Sequence, residues 1–496
     1  MKRKAVSGIM LTLLMLGILQ LTFSIQSIGA EPTTWTVDDD GPADFSKIQD
    51  AINVASSGDT ISVRKGRYYE HVVVNKSELT LIGEDRETAI IDGSGTGIVV
   101  RVLGIQAANI SDFTVRNGTI GLDLWESSYA YLRNVSLESS SYNFRVWGYP
   151  LENFIHDIDS SNSANGKPVC YWVNQKNRKV PADAGCVALI NSTDIVIRNL
   201  DLSNNWDGAL LAGVQNSSIE NTNFSNNKQA LFLIFSKRNR ILKNSFTGNG
   251  GGIILYGQSD ANYVRENVIT NNEDGVYVGR SFDNTISKNL ISDSTATIGG
   301  SGIFLEGGSQ NNTILENVVK NNTYGVNIIR SDNNCVYHNN FIDNEYQVKT
   351  EFPYRISTNV WDDGYPSGGN YWSDYAGQDL DDDALGDTPY VIDERNKDNY
   401  PLMKPWSSKP SNPVEATLGL IEIIKIWNLP KGVGNCLTSK LNNVIHMLDK
   451  AEENGATHKL IAFVNQVKAL DGKKLATAQA DYLIGEAQRI ISLIKG

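Results

Sequence analysis

Four aspartates in one short run come closest to chemistry that can be read from spacing. Asp379, Asp381, Asp383 and Asp387 occupy positions 1, 3, 5 and 9 of a loop, with the Leu385 carbonyl at position 7. That is the oxygen-ligand spacing of a calcium loop. Ligands that are all oxygen select calcium over transition metals, so Ca2+ is the expected cofactor. Two positions depart from the pattern: Ala384 stands at position 6 in place of glycine, and Tyr390 at position 12 in place of glutamate. The alternative is a solvated acidic turn. Just upstream, Trp361, Tyr365, Tyr371, Trp372 and Tyr375 form an aromatic cluster. Such rings either stack on sugars or cover the end of a core, and a cap is the expectation here.

The cysteines and histidines are sparse. Cys170 and Cys186 sit on strand-like runs flanking residues 174–179. In an oxidising compartment they are expected to form a disulfide closing a loop of about 15 residues. Cys335 is expected to be packed, and Cys436 to lie on a helix. The five histidines (71, 156, 338, 446, 458) are scattered, and beyond residue 30 only Met403 and Met447 remain. Copper sites are built from His, Met and Cys, and no HxH, MxxM or CxxC pattern is present. His156, followed by Asp157 and Asp159, invites a general-base role, but a turn is the simpler expectation.

What must position these groups is a repeat. Apolar runs begin at Gly185, Gly208, Gln229, Gly252, Gly275, Gly302 and Gly325, at steps of 23, 21, 23, 23, 27 and 23 residues. A column of asparagines, Asn199, Asn221, Asn244, Asn267, Asn289, Asn317 and Asn339, runs beside them. Asn pairs follow at 204–205, 226–227, 271–272 and 321–322. Each unit holds short runs rich in Val, Ile, Phe and Tyr, separated by Gly, Asn, Asp and Ser, which is strand chemistry with turn punctuation. The period is too short for helix-pair repeats or propeller blades. Three short strands per coil, stacked at roughly 4.8 Å, give an all-β right-handed parallel β-helix. Its hand follows the general crossover preference. Asn tolerates the left-handed turn, and stacked amides bond from coil to coil.

Residues 1–30 carry Lys2, Arg3 and Lys4, an apolar run from Ile9 to Phe23, and the small residues Gly29 and Ala30. They are expected to be a secretory signal peptide, with an uncleaved anchor as the alternative. No transmembrane segment is expected after cleavage, and the product is expected to be secreted or at the cell surface. Cleavage removes three basic and no acidic residues, taking the net charge from −12 to −15. That argues against nucleic acid as a partner. Residues 31–350 are then the β-helix, 351–406 its aromatic and acidic C-terminal cap, and 407–413 a linker. Residues 414–496 are a small helical bundle with apolar stripes such as Leu418, Ile421, Ile424, then Trp427. At the other end, residues 44–55 are expected to form a capping helix, with Ile48, Ala51 and Ile52 inward and Asp44 or Ser46 as N-cap.

The stretch ADFSKIQDAINVASSGDTISVRKGRYYEHVVVNKSELTLIGE resembles the opening of pectin-lyase-like right-handed β-helices. The repeats after it are similar to the NosD-type family, named after a periplasmic copper-binding protein. IHDIDSSNSANGKPVCYW and DAGCVALINSTDIVIRNLDLSNN resemble an insert typical of that family. LIAFVNQVKAL and GKKLATAQADYLIGEAQRII resemble the FIMAH domain, an accessory module of secreted and surface proteins. The resemblance is specific for fold. It is weak for activity, since such scaffolds host many functions. The Asn-Thr-Asp and Gly-His-Gly motifs of polygalacturonases do not occur, nor do the strand motifs of pectin methylesterases. Arg265 and Arg280 cannot be paired with an Asp cluster as in pectate lyases, and surface ion pairs are expected for both. Three functions remain open. One is a non-catalytic protein binding glycans or surface partners. The second is a polysaccharide lyase, hydrolase or epimerase with carboxylates on adjacent coils. The third is a copper accessory protein.

Overall fold

The computed structural model describes residues 31–495 apart from 139, 296–298, 353–354, 407–412, 427–428 and 476. The expected signal segment 1–30, nearly all of the expected linker and Trp427 lie outside the described residues. The chain divides into two compact units, Met1–Trp406 and Ser407–Gly496.

The first unit is a right-handed parallel β-helix of about 14 turns. It is not one uninterrupted solenoid. A first stack has a six-stranded sheet from Thr34–Val37 to Asp157–Ile158 and a four-stranded sheet from Val72–Val74 to Tyr142–Trp147. Both sheets end there. The chain then turns at Asn165 and Gly166, both at positive φ (49° and 75°). Ser163–Ala164 pairs antiparallel with Lys167–Val173, which pairs parallel with Cys186–Ile190. A second stack follows, with two new eight-stranded sheets. The third sheet, fourteen strands from Gly66–Tyr68 to Tyr346–Lys349, runs through both stacks. The stretch read as a family insert is thus a hairpin that reverses the strand direction and starts a second coil set.

Strand alternation sets the core. In Gly251–Tyr256, Ile253 and Leu255 are fully buried, and in-register partners Leu231, Val276, Ile303 and Val326 continue the column. Burying each such side chain stabilises by roughly 1.5–3 kcal/mol. At the turns, buried ladders run along the axis. The Asn267 backbone N–H and side-chain amide both donate to Asn289 Oδ1, at 2.9 Å each, and Asn289 donates to Asn317 in the same way.

The asparagine column read from the sequence mixes two positions. Asn244, Asn267, Asn289, Asn317 and Asn339 are ladder members. Asn199 and Asn221 sit one place earlier, at positive φ (58° and 46°), where later coils carry Lys243, Glu266, Lys288, Glu316 and His338. The ladder position beside Asn221 is held by Thr222. The same logic explains the Asn pairs: Asn226 and Asn271 make the left-handed turn, while Asn227 and Asn272 enter the ladder.

Cys170 and Cys186 are not bridged; both are free and buried. Their strands are adjacent, but Cys186 pairs with Val169 and Cys170 with Val187. The one-residue offset points them to opposite faces. Cys170 enters the core of the second stack and Cys186 the core shared with the first. Burial pushes the Cys170 thiol up to about 12.

The helix Ile48–Val54 covers the N-terminal end with Ile48, Ala51 and Ile52 buried. Neither Asp44 nor Ser46 caps it. The Glu70 carboxylate accepts the Ile48 and Gln49 amides (2.8 and 3.0 Å), and Asp44 is held by Thr36. Gln49 accepts the Val73 amide at 2.7 Å, closing an otherwise open strand edge. At the other end Trp361 and Trp372 are buried, and Trp372 stacks between Phe341 and Tyr390.

The second unit contains the helices Pro413–Ile426, Lys431–Asp449, Glu453–Leu470 and Thr477–Ile494. Leu437, Leu441, Leu460, Phe463, Val467, Leu483 and Ile490 fill its core. Leu418, expected inward, is 48% exposed, and Leu420 takes its place. Among the described residues no helix is long and apolar enough to cross a membrane.

Candidate functional site: a cleft where the two stacks meet

The outer face of a solenoid sheet ordinarily meets water. On the shared sheet, Cys186–Ile190 and Asp207–Ala212 are instead buried on both faces. The last coil of the first stack covers them. Trp147 stacks on Phe232 with centroids 5.6 Å apart, Tyr149 meets Phe235, and Phe144 and His156 meet Tyr171. Arg145 lies between the Trp125 and Trp206 rings and bonds Asp123 through two nitrogens at 2.7 Å. The cover ends at Trp147.

Past that ring the outward columns continue. Phe232, Ile254, Tyr277 and Phe304 are in register, as are Ile234, Tyr256, Gly279 and Glu306; Phe232 and Ile234 are buried under the cover, while Ile254, Tyr256, Tyr277 and Phe304 are half-buried. A cleft of about 310 Å³ opens between Trp147 and this face, with Tyr256, Tyr277, Gln229, Lys228, Glu273 and Asp274 around it. Gly250 and Gly251 form part of its lining, and a Cβ at Gly250 would come within 2.5 Å of the Lys228 carbonyl. A second lobe of about 520 Å³ shares Gly250 and Glu273 and is bordered by Tyr142 and the exposed amides of Asn226 and Asn271.

The polar groups are specific. Lys228 Nζ pairs with Glu273 at 3.0 Å. The Ser301 amide donates to Asp274 Oδ1 at 2.9 Å. Burial pushes the Asp274 carboxyl above its ordinary range; the Ser301 bonds oppose this, and the Glu273 and Glu306 charges add to it. The Tyr277 hydroxyl donates to Glu306. Burial, then Glu306, pushes that hydroxyl up, so it stays protonated. Arg280 lies over the Tyr256 ring at 6.0 Å. Gln229 Oε1 is buried and has no hydrogen-bond partner among the described residues. Rings at the spacing of coils, with acceptor oxygens between them, suit the apolar faces and hydroxyls of sugars.

The residues singled out by sequence fall elsewhere. Asp379, Asp381 and Asp383 converge, with one oxygen of each within 4.8 Å of the others. Asp379 also accepts the Asp383 and Ala384 amides at 3.2 and 2.9 Å. Asp387 is not in that group; its carboxylate accepts the Leu380 amide at 2.6 Å. Tyr390, at position 12, is spent on the cap. His156 is a core histidine: Nδ1 accepts the Ala130 amide, Nε2 faces the Asn153 carbonyl, and burial lowers its pKa to about 4. Arg265 pairs with Glu266, whereas Arg280 belongs to the cleft wall. The cleft residues were not singled out from sequence. Their signal was the outward position of each apolar run, which reads Phe232, Ile254, Tyr277, Phe304.

Residues 172–377 match the model of a family described as periplasmic copper-binding protein (NosD). No curated protein matches the chain. Among solved structures, the Azotobacter vinelandii mannuronan C-5 epimerase AlgE6 A-module is 15% identical, with a TM-score of 0.30, over 63% of this chain and 91% of that one. The periplasmic alginate epimerase AlgG, as a double mutant, is 16% identical with a TM-score of 0.30, over 60% and 69%. Pectin methylesterase PemA from Erwinia chrysanthemi is 11% identical with a TM-score of 0.19, over 60% and 80%. The matched segment does not fit copper. It holds one histidine, His338, whose Nε2 faces Ser367 and whose ring stacks on Trp406, and it has no methionine. The groups of three or more potential ligands among the described residues consist of aspartates alone. Residues 172–377 of this parallel β-helix are thus similar to the NosD family, and no cluster of His and Cys ligands accompanies that similarity among the described residues.

Proposed function

We propose that this is a secreted or cell-surface β-helix protein that binds a polysaccharide strand in the cleft between its two stacks, without turning it over. The observation that carries this is the half-buried pair of rings Tyr256 and Tyr277, on adjacent strands and lining the cleft with Trp147, with the unpartnered Gln229 Oε1 beside them. The helical unit, by its FIMAH-like sequence, serves attachment or proximity to the surface, and Asp379, Asp381 and Asp383 hold calcium. The test of the cleft is calorimetric titration of the full chain against a panel of soluble polysaccharides. Binding that weakens at least tenfold in Tyr277→Ala, without loss of fold, supports the proposal. Unchanged binding in that variant and in Tyr256→Ala sinks it.

One observation favours a second reading, turnover of the same strand. Asp274 is shifted towards the protonated form next to Glu273, which is ion-paired with Lys228. Glycoside chemistry uses such a pair of an acid and a carboxylate. New reducing ends or unsaturated uronates appearing with the wild type, and absent in Asp274→Asn, would establish that reading over simple binding.

A further inference from the structure

We infer that the strand held in this cleft is uncharged, built of neutral hexoses or N-acetylhexosamines, and that the cleft rejects polyuronates. The inference rests on the proposed binding role of the cleft and adds the class of ligand.

The first argument is charge. Glu273 and Asp274 line the first lobe, Asp293 lines the second, and Glu306 bonds the Tyr277 hydroxyl at the edge. Against them stand two cations. Lys228 is spent on Glu273. The Arg280 guanidinium lies over the Tyr256 ring, and its stem lies against Gly307. A uronate strand brings a carboxylate on every sugar. Each would lose water beside four carboxylates that outnumber the two cations. The net charge of −12 repels such a strand even before contact.

The second argument is hydrogen-bond polarity. Gln229 Oε1 in the cleft and Asn327 Oδ1 further along the same outward face are buried acceptors without a donor among the described residues. Asn327 continues the column of Phe304. A carboxylate offers only acceptors, so a 1,4-linked uronate, in which it replaces the 6-hydroxyl, brings one donor fewer per sugar. Sugar hydroxyls and the N–H of an acetamido group can satisfy the buried acceptors. A ligand rich in donors, with apolar ring faces for Tyr256, Tyr277 and Trp147, matches both the oxygens and the rings.

The experiment is titration of the full chain with hexasaccharides of two kinds. The neutral set is β-1,4-glucan, mannan, galactan and chitin hexamers; the acidic set is galacturonate and mannuronate hexamers. At least one neutral hexamer is expected to bind roughly tenfold or more tightly than either uronate. Tyr277→Ala, or Tyr256→Ala if the first misfolds, should weaken that binding about tenfold. The double substitution Glu273→Gln with Glu306→Gln should narrow the gap by improving uronate binding. Uronate binding equal to or tighter than neutral binding, and lost in Tyr277→Ala, overturns the inference while leaving the cleft as a glycan site. If neither set shows binding that the cleft variants weaken, the cleft role falls, and the inference with it.

Discussion

The two stacks of the β-helix tie their coils together by different means. The second stack uses amides. Asn244, Asn267, Asn289, Asn317, Asn339 and Asn370 each accept from the coil before, and those up to Asn339 donate to the coil after. The first stack uses charge. Asp92 sits between Arg67 and Arg116, and Asp123 between Arg101 and Arg145, with both carboxylates fully buried. An amide is donor and acceptor at once, so the same residue can repeat indefinitely without accumulating charge. A charged column must alternate in sign and involves different residues on each coil. The amide stack therefore keeps a period in its sequence, while the charged stack does not. The charged column also does something the ladder cannot: its last member, Arg145, reaches across to the Trp206 ring of the second stack.

The strongest test of this contrast is Asn289→Ala. It removes four buried bonds, two accepted from Asn267 and one each donated to Val264 and Asn317. The orphaned groups should cost about 4 kcal/mol, seen as a lower denaturant midpoint that does not depend on salt. A loss under about 1 kcal/mol would mean that the ladder relaxes as a surface turn would. Asp123→Ala should follow at about 3 kcal/mol, because it leaves Arg145, 9% exposed, without its anion. A smaller loss than for Asn289→Ala sharpens the comparison; a larger one reverses it.

Acid should act on the first stack before the second. Burial works against the Asp92 charge, but the Ser94 amide and the Arg67, Asn117 and Arg116 side chains outweigh it and hold the carboxyl down at about 2, from 3.8. A depressed folded pKa stabilises above the unfolded value and loses that stability as pH falls through the folded one. About 2 kcal/mol should therefore be present above pH 4 and mostly gone near pH 2. Urea midpoints for the wild type and Asp92→Asn should converge over that window. Parallel curves would show that the ion pairs contribute nothing particular to the acid response.

The same contrast explains what could be read from sequence. The second stack was legible because Gly, Asn and the apolar runs recur at coil spacing. Its register slipped by one at Asn199 and Asn221, since a turn asparagine and a ladder asparagine look alike in a string of letters. A third ladder, Asn239, Asn262, Asn284, Asn312 and Asn334, was equally periodic and went unread. The reversal at Asn165 and Gly166 was hidden because a two-residue turn inside an apparent insert says nothing about which sheets it joins. For that reason Cys170 and Cys186 were expected to meet, although adjacent strands offset by one residue turn them apart. The cleft was illegible for a deeper reason. Trp147 and Tyr277 lie 130 residues apart, and nothing local indicates that the first stack lies against the outer face of the second.

The smallest expected effect concerns the acidic loop, which belongs to the C-terminal cap and so tests neither tie but a third. Asp379, Asp381 and Asp383 present three convergent carboxylates. A divalent cation would relieve their repulsion, and oxygen-only ligands favour calcium. Part of the run is already explained without an ion, since Asp379 and Asp383 accept the amides of Asp383, Ala384 and Leu385, and Asp387 that of Leu380. The cation therefore adds to a formed turn instead of creating it. With Asp387 turned aside and Tyr390 at position 12, affinity should be weak, with a dissociation constant of roughly 0.1–1 mM. At ten times that concentration, mass action supplies about 1.4 kcal/mol, a rise of about 2 °C in melting temperature. Chelator should remove it in the wild type, while Asp379→Asn with Asp383→Asn should melt at the same temperature with and without calcium. Magnesium at equal concentration should give less, because three carboxylates on one short loop do not supply the compact octahedron it demands. A wild-type melting curve indifferent to calcium and chelator alike would reduce the loop to a solvated turn whose backbone amides are its only ligands.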